Sequence, residues 1–217
     1  MYGKVIDPER RKIALALEKF INLRRTIRSY LPEPVPREVA EKIAISGLRA
    51  PTKNNQIKWR LLLIDQSSAK RGEFIRRLMA SYSYLSDIRA LYQEGYLDLE
   101  RYQSFTRSFM KGLGTIPLFA VMVAEKPPSS LPNALYTREM AHTLASCGFA
   151  AENMLLTALA WGLGGGILTL VSDEAERGLL ELMGFSPENH TIAMVLTFGY
   201  PAEVPQRPPR ELEFKWL

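Results

Sequence analysis

An uncharged stretch from Asn153 to Ser172 limits the fold of this chain more than any other feature. It is long enough to cross a membrane as a helix. However, Gly162 and the run Gly164-Gly165-Gly166 interrupt its centre, and its flanks are acidic where a membrane anchor would carry basic residues. We therefore predict a buried helix, a glycine-rich turn and a buried strand inside a globular domain, with no membrane partner.

Composition narrows the class of protein. The 217 residues are 47% apolar, which suits one domain over residues 1–217 with a sizeable core. The single cysteine, Cys147, excludes an internal disulfide, and two histidines exclude a histidine-rich metal site. We expect a buried, inert thiol at Cys147 because it lies in an apolar helical pattern. No secretion signal is visible, so we expect a cytoplasmic protein.

Apolar periodicity predicts alternating helices and strands. Helices are expected at residues 8–23, 36–48, from Ser67 or Ser68 to 79, 137–161 and 173–183. Strands are expected at residues 61–64, 117–124, 167–171 and 191–198. The segment 80–113 is rich in Tyr and Phe and is predicted to form two helices divided near Gly95. Its aromatic residues suit either a lid or pocket wall for an aromatic substrate or, the favoured interpretation, plain packing in the helical core and the dimer.

A basic run, Arg24-Arg25-Thr26-Ile27-Arg28-Ser29, follows the first predicted helix. Alternate side chains of an extended backbone share one side, so Arg24, Thr26 and Arg28 would converge. Two guanidinium groups and a hydroxyl suit a phosphate monoester, because arginine donates to phosphate oxygens in pairs. The alternative for so short a run is a solvated basic cluster at a helix end.

A polar loop precedes the first predicted strand and reads Arg49-Ala50-Pro51-Thr52-Lys53-Asn54-Asn55-Gln56-Ile57-Lys58-Trp59. Its carboxamides both donate and accept hydrogen bonds, which suits the polar edge of a flat heterocycle. A third motif follows near the C-terminus and reads Phe198-Gly199-Tyr200-Pro201-Ala202-Glu203, with Arg210 after it. In this order, the three motifs resemble those of the nitroreductase family of FMN-dependent oxidoreductases. The resemblance runs from about Leu23 to Arg210.

The resemblance implies a fold and an assembly. The fold is α+β, layered α/β/α, with a central, mainly antiparallel sheet of four strands from this chain. The C-terminal segment of a partner subunit would add a further strand, and helices would flank the sheet. The implied assembly is a homodimer with FMN at the subunit interface. The alternating tail Glu211-Leu212-Glu213-Phe214-Lys215-Trp216-Leu217 would be the exchanged strand.

The resemblance also implies which residues contact FMN. Arg24 and Thr26 would serve the phosphate end, together with a late arginine, Arg210 or in reserve Arg207. Arg28 and Lys53 are candidates for the cation near flavin N1 and the C2 carbonyl. The loop after Pro51 is about one residue shorter than the family pattern, which leaves Asn54 and Asn55 as alternative rim contacts. The predicted contacts are Arg24, Arg25, Thr26, Arg28, Pro51, Thr52, Lys53, Asn54, Asn55, Gln56, Gly165, Gly166, Leu168, Thr169, Arg207 and Arg210.

The glycines before the third predicted strand allow two interpretations. They suit a helix C-cap and a tight turn, and they also permit close approach of backbone to a flat ring. The resemblance implies that a backbone N–H just beyond them, near Leu168 to Leu170, faces the flavin, with Leu168 and Thr169 as the predicted contacts. No catalytic side chain and no metal are expected, because the flavin carries the chemistry.

The implied activity is hydride transfer from NADH or NADPH to flavin N5 and then to a nitroaromatic, a quinone or a similar small-molecule acceptor, by a ping-pong mechanism. One alternative is a family member that binds flavin for a dehydrogenase or ring-cleaving reaction, or with little turnover. A basic nucleic-acid-binding protein would suit the net charge of +5, but the charges are dispersed and no nucleic-acid motif is present. We therefore expect no nucleic-acid partner.

Overall fold

The computed structural model describes residues 7–79, 82–103, 112–168 and 173–206, with only the backbone for 82–87. Its helices are α1 (Pro8–Leu23), α2 (Arg37–Gly47), α3 (Arg71–Met79), α4 (Tyr82–Gln93), α5 (Asn133–Ala160) and α6 (Asp173–Met183). Its strands are β1 (Trp59–Ile64), β2 (Leu118–Glu125), β3 (Gly164–Leu168) and β4 (His190–Gly199). Short 3₁₀ turns cover Lys53–Asn55 and Leu113–Thr115.

The four strands form one sheet in the order β1-β2-β4-β3, with every neighbouring pair antiparallel. β2 pairs with β1 on one side and β4 on the other, and all its residues are buried except Glu125, which is half-buried. β1 and β3 are the edge strands. The predicted α+β fold, with a four-stranded antiparallel sheet from this chain, is confirmed.

The sheet separates two hydrophobic cores, because alternate residues of β2 face opposite layers. One core joins the sheet to α2 and α5 through Leu118, Ala120, Met122, Cys147 and Met154. The other joins it to α3 and α6 through Phe74, Leu78, Phe119, Val121, Leu179 and Leu180. This arrangement is the predicted α/β/α layering.

Most predicted elements are present, but β3 begins earlier than expected. The sequence predicts a turn through Gly164–Gly166 and a strand from Ile167, whereas the three glycines already pair with residues 197–199 of β4. The turn is confined to Trp161 and Gly162, and Gly162 adopts a φ of 77°, which glycine tolerates best. The predicted residues 169–171 lie outside the described part of the chain.

The start of α3 also differs from the prediction. The helix begins at Arg71, and the Ser67 and Ser68 hydroxyls donate to Asp65 Oδ1 instead of capping it. These short local hydrogen bonds favour a turn over a helix.

In α2, Ala40, Ile43 and Gly47 are buried as part of the apolar face, while the predicted Leu48 is exposed.

The aromatic segment divides where expected. α4 ends at Gln93, Gly95 adopts a φ of 77°, and helical backbone resumes over residues 99–103. The rings of Tyr92 and Tyr102 stack with centroids 4.8 Å apart, which supports packing as the role of that pair. Tyr96 is 76% exposed. Residues 104–111 of this segment lie outside the described chain.

Among the described helices, α5 alone is long and apolar enough to meet a membrane-span criterion. Cys147 and Met154 on this helix are fully buried against the sheet. Burial raises the pKa of the Cys147 thiol to about 12, in agreement with an inert buried cysteine. Packing against the sheet explains part of the apolar composition of α5, while Leu135, Leu144 and Phe149 are exposed.

Candidate functional site

The basic run is fixed to the edge of the sheet beside β3. Thr26 forms a parallel bridge with Gly165, and the Ile27 amide donates to the Gly165 carbonyl at 2.9 Å. Further along, the Leu31 amide donates to the Tyr200 carbonyl at 2.9 Å. The structure therefore brings together the first motif, the glycine strand and the start of the third motif, which are far apart in sequence.

Tyr30 links this run to β4 through hydrogen bonds of its buried hydroxyl. Its hydroxyl donates to the Ile27 carbonyl at 2.9 Å and lies 2.7 Å from the Thr197 hydroxyl on β4. Burial raises the pKa of Tyr30, while the Thr197 hydrogen bond and the Arg28 charge partly oppose this rise. The phenol therefore stays neutral and can donate a hydrogen bond over the physiological pH range.

The glycines of β3 allow this close packing. A Cβ atom on Gly166 would lie 2.4 Å from the Ile27 carbonyl oxygen, and one on Gly165 would lie 2.4 Å from Leu155 Cδ2. The close contacts that require glycine at these two positions are therefore contacts with other parts of the protein, Leu155 and the Ile27 backbone. A flavin contact at Gly165 and Gly166 stays a prediction, as it does for Leu168, which is half-buried against the α3 and α6 core.

The three arginines of the run occupy different environments. Arg24 Nε forms an ion pair with Glu152 of α5 at 3.2 Å. Arg25 Nη1 instead donates to the Asn22 carbonyl at 2.7 Å, at the end of α1. Arg28 is exposed, and its charge acts on the Tyr30 phenol. Arg24 and Arg25 therefore contact different partners. The convergence of Arg24, Thr26 and Arg28 on one ligand stays a prediction.

The polar loop lies on the α5 side of the sheet. Asn54 and Asn55 both adopt positive φ angles, 53° and 55°, a conformation that asparagine tolerates better than most residues. The turn is closed by hydrogen bonds from the Asn55 amide to the Thr52 carbonyl and from the Gln56 amide to the Lys53 carbonyl. Pro51 and the residues from Lys53 to Gln56 are exposed, so their polar groups are accessible to a ligand.

A cleft of about 360 Å³, including space open to solvent, separates this loop from α5. Lys53 crosses it and forms an ion pair with Glu139. The pKa of Glu139 is held below its usual range, chiefly by this hydrogen bond, and the charges of Lys58 and His142 add to the effect. The cleft is lined by Lys53, Asn54, Gln56, Lys58, Glu139, His142, Thr143 and Ser146.

The two motifs are held at different places along α5. Arg24 is tied to Glu152 and Lys53 to Glu139, and these positions are about 20 Å apart along a helix that rises 1.5 Å per residue. Within one chain, the predicted phosphate-binding run and the predicted rim-binding loop are therefore separate half-sites. Thr169, Arg207 and Arg210 lie outside the described residues, and their roles stay predictions.

Sequence reasoning missed the residues that hold these half-sites in place. Glu139 and Glu152 are the two carboxylates in the sequence of α5, a mainly apolar helix, and that rarity was the available signal. Tyr30 follows the basic run directly, but its partner Thr197 lies 167 residues away. Such long-range partners have no signature in a single sequence.

The layered fold, the docked basic run and the glycine strand together define a nitroreductase-type domain. The chain belongs to the nitroreductase family, whose family model matches residues 21–200.

Known proteins agree with this assignment. A protein of Archaeoglobus fulgidus described as an NADH dehydrogenase/NAD(P)H nitroreductase is 24% identical over 85% of both chains. The 5,6-dimethylbenzimidazole synthase of Rhodobacter capsulatus is 25% identical and covers 86% of this chain and 84% of its own. A nitroreductase-type protein of Desulfovibrio desulfuricans, solved in complex with FMN, has a TM-score of 0.63, with 20% identity over 90% of this chain and 92% of its own.

Proposed function

We propose that this protein is a homodimeric, cytoplasmic FMN-dependent oxidoreductase. It would take electrons from NADH or NADPH and reduce a small-molecule acceptor such as a nitroarene or a quinone. The observation that carries this proposal is the docking of the Arg24–Tyr30 run onto the glycine strand, inside a domain of the nitroreductase family. The FMN complex of the Desulfovibrio desulfuricans protein supports the choice of cofactor.

The donor groups of both half-sites fit FMN. Arginine and threonine at positions 24 and 26 supply charged and neutral donors for a phosphate. The loop supplies an ammonium group at Lys53 and carboxamides at Asn54, Asn55 and Gln56, which match the mixed donors and acceptors of an isoalloxazine rim. FMN, when bound, would accept hydride at N5 and deliver it to the acceptor. The protein residues would bind and orient it without acting as acid or base.

The separation of the half-sites supports a dimer. In one chain the two motifs pair with carboxylates that lie about 20 Å apart along α5, so a second chain would bring its loop to the first chain's basic run. Helix α1 has no buried residue, although it carries a row of apolar side chains, and Ile13 is 68% exposed. Apolar surface of this kind is typical of subunit interfaces. The exposed large apolar residues of α1 are Ile13, Leu15, Leu17, Phe20, Ile21 and Leu23.

Purification followed by spectroscopy tests the proposal. The wild-type protein should bind FMN with a dissociation constant in or below the micromolar range, and NADH or NADPH should bleach the flavin absorbance without oxygen. A nitroarene or quinone added afterwards should restore the absorbance. Failure of the protein to bind FMN would contradict the proposal.

A specialised flavin reaction is the second candidate, and the similarity to 5,6-dimethylbenzimidazole synthase favours it. The aromatic segment that includes α4 would then shape a pocket for one particular substrate. The same reduction and reoxidation experiment separates the two candidates, because a specialised enzyme would bind FMN yet fail to pass electrons to a nitroarene or a quinone. Slow bleaching by both nicotinamides would also favour this second candidate.

A further inference from the structure

One carboxylate lies in the cleft that the polar loop forms with α5. Glu139 reaches across to Lys53, and its side chain is only 19% exposed. The other ionisable groups that line this cleft are Lys58 and His142. Glu139 is therefore the single acidic group among the described residues that line the cleft, and it shares the cleft with two lysines and a histidine.

This pair matters because Lys53 is a predicted flavin contact. Reduction of a flavin places negative charge near N1 and the C2 carbonyl, so a nearby cation stabilises the reduced form. A carboxylate that is bound to that cation removes part of this effect, since the flavin then experiences a nearly neutral pair. Glu139 also restricts where the flexible lysine side chain can place its ammonium group.

We propose that Glu139 is a positioning residue that sets the reduction potential of the bound flavin by holding and partly neutralising Lys53. The inference rests on the proposed FMN-dependent function. Lys53 favours electron uptake and Glu139 moderates it, so the ion pair keeps the flavin potential below the value that the lysine alone would give.

The experiment measures the midpoint potential of FMN bound to four full-length proteins by equilibration with a reference dye. Glu139→Gln should raise the potential, because Lys53 then acts uncompensated. Lys53→Met should lower it, because the carboxylate stays behind. The double variant should lie between the two. A shift of about 15 mV corresponds to a threefold change in the ratio of FMN affinities of the two redox states, at 29.6 mV per factor of ten.

The opposite signs of the two shifts in midpoint potential distinguish an effect on the flavin from a merely structural role of the ion pair. Loss of a merely structural ion pair would lower the melting temperature of both single variants and shift neither potential in a charge-dependent way. Both variants should fold, since an ion pair with one partner on the surface contributes little to stability. Lys53 is 42% exposed, which meets that condition.

Glu73→Gln is the matched control. Glu73 is also a half-exposed carboxylate that is paired with arginines, but it lies on α3, in the layer on the other side of the sheet. Its substitution should leave the flavin potential unchanged. Shifts of the same sign for Glu139→Gln and Lys53→Met, or shifts no larger than that of the control, would overturn the inference while leaving the FMN-dependent function intact. Absence of FMN from the wild-type protein would overturn both.

Discussion

At the scale of single residues, the neighbouring Arg24 and Arg25 have different partners. Arg24→Ala should weaken FMN binding by about 2–3 kcal/mol, the scale of a lost charge-assisted hydrogen bond. Arg25→Ala should weaken FMN binding much less, although Arg25 is also a predicted contact, because its side chain donates to the Asn22 carbonyl at the end of α1. Fluorescence titration of FMN into both apoproteins measures the difference. Equal dissociation constants for the two variants would show that the alternation argument is wrong.

The buried Cys147 thiol should make the free energy of unfolding decrease at alkaline pH. Its pKa is about 12 in the fold, while an unfolded thiol has a pKa of about 8.5, so the folded state keeps a proton that the unfolded state releases. This contribution to stability is fully present below about pH 8.5 and falls between there and pH 12. The free energy of unfolding should decrease by up to about 1.4 kcal/mol per pH unit in this window from this one group.

Urea unfolding at pH 8 and pH 10.5 tests this linkage. The buried Tyr30 phenol contributes in the same direction, because burial raises its pKa as well. Cys147→Ala removes the thiol contribution alone, so its stability should fall less steeply than that of the wild type. The comparison uses the change in the free energy of unfolding between the two pH values, which is insensitive to the small cavity that alanine leaves. Parallel pH curves for the two proteins would contradict the prediction.

At the scale of secondary structure, β3 depends on glycine. Gly166→Ala places a methyl group 2.4 Å from the Ile27 carbonyl oxygen, so either the strand or the basic run must move. We expect a loss of stability of about 1–3 kcal/mol, as for other overpacked sites, together with weaker FMN binding. Thermal unfolding and FMN titration measure the two effects.

Gly72→Ala on α3 is the matched control for that substitution. No atom lies within 4 Å of the added methyl group, and alanine is a better helix former than glycine by about 0.5–1 kcal/mol. This variant should be as stable as the wild type or slightly more stable, with unchanged FMN affinity. A Gly166→Ala protein that matches it in both measurements would show that the close packing against Ile27 is unimportant.

The elements also show how far sequence reasoning reaches. The bounds of α1 and α6 were predicted correctly from the sequence, because the apolar side chains of an amphipathic helix recur in every turn and Gly184 marks the end of α6. The early start of β3 was missed, since pairing of Gly164 with Gly199 depends on a strand far away in sequence. The same limit applies to the site: the two motifs are visible as local patterns, but the Lys53–Glu139 pair joins residues 86 positions apart.

At the scale of the whole molecule, the two edges of the sheet differ. The edge at β3 is covered by the Thr26 bridge and the Ile27 hydrogen bond. Within the described ranges, no segment pairs with the outer edge of β1. A cleft beside β1 is lined mainly by apolar side chains, including Leu62, Leu63 and Met183. An open strand edge next to apolar surface favours the addition of another strand.

The C-terminal tail suits that edge. Leu212, Phe214 and Trp216 alternate with charged residues, so they would share one face of a strand. Phenylalanine and tryptophan each bury about 150–250 Å² when enclosed, which requires a surface to cover them. We predict that the tail of one subunit pairs with β1 of its partner and places its apolar face towards the cleft.

Deletion of residues 211–217 tests this exchange in solution. The truncated protein should shift towards monomer or aggregate in light scattering and should lose FMN at the same time, because the proposed site needs loops from both subunits. Trp216→Ala should show part of this effect, whereas Lys215→Gln, on the opposite strand face, should leave dimerisation and FMN occupancy unchanged. A truncated protein that stays dimeric and keeps its flavin would refute the exchanged tail.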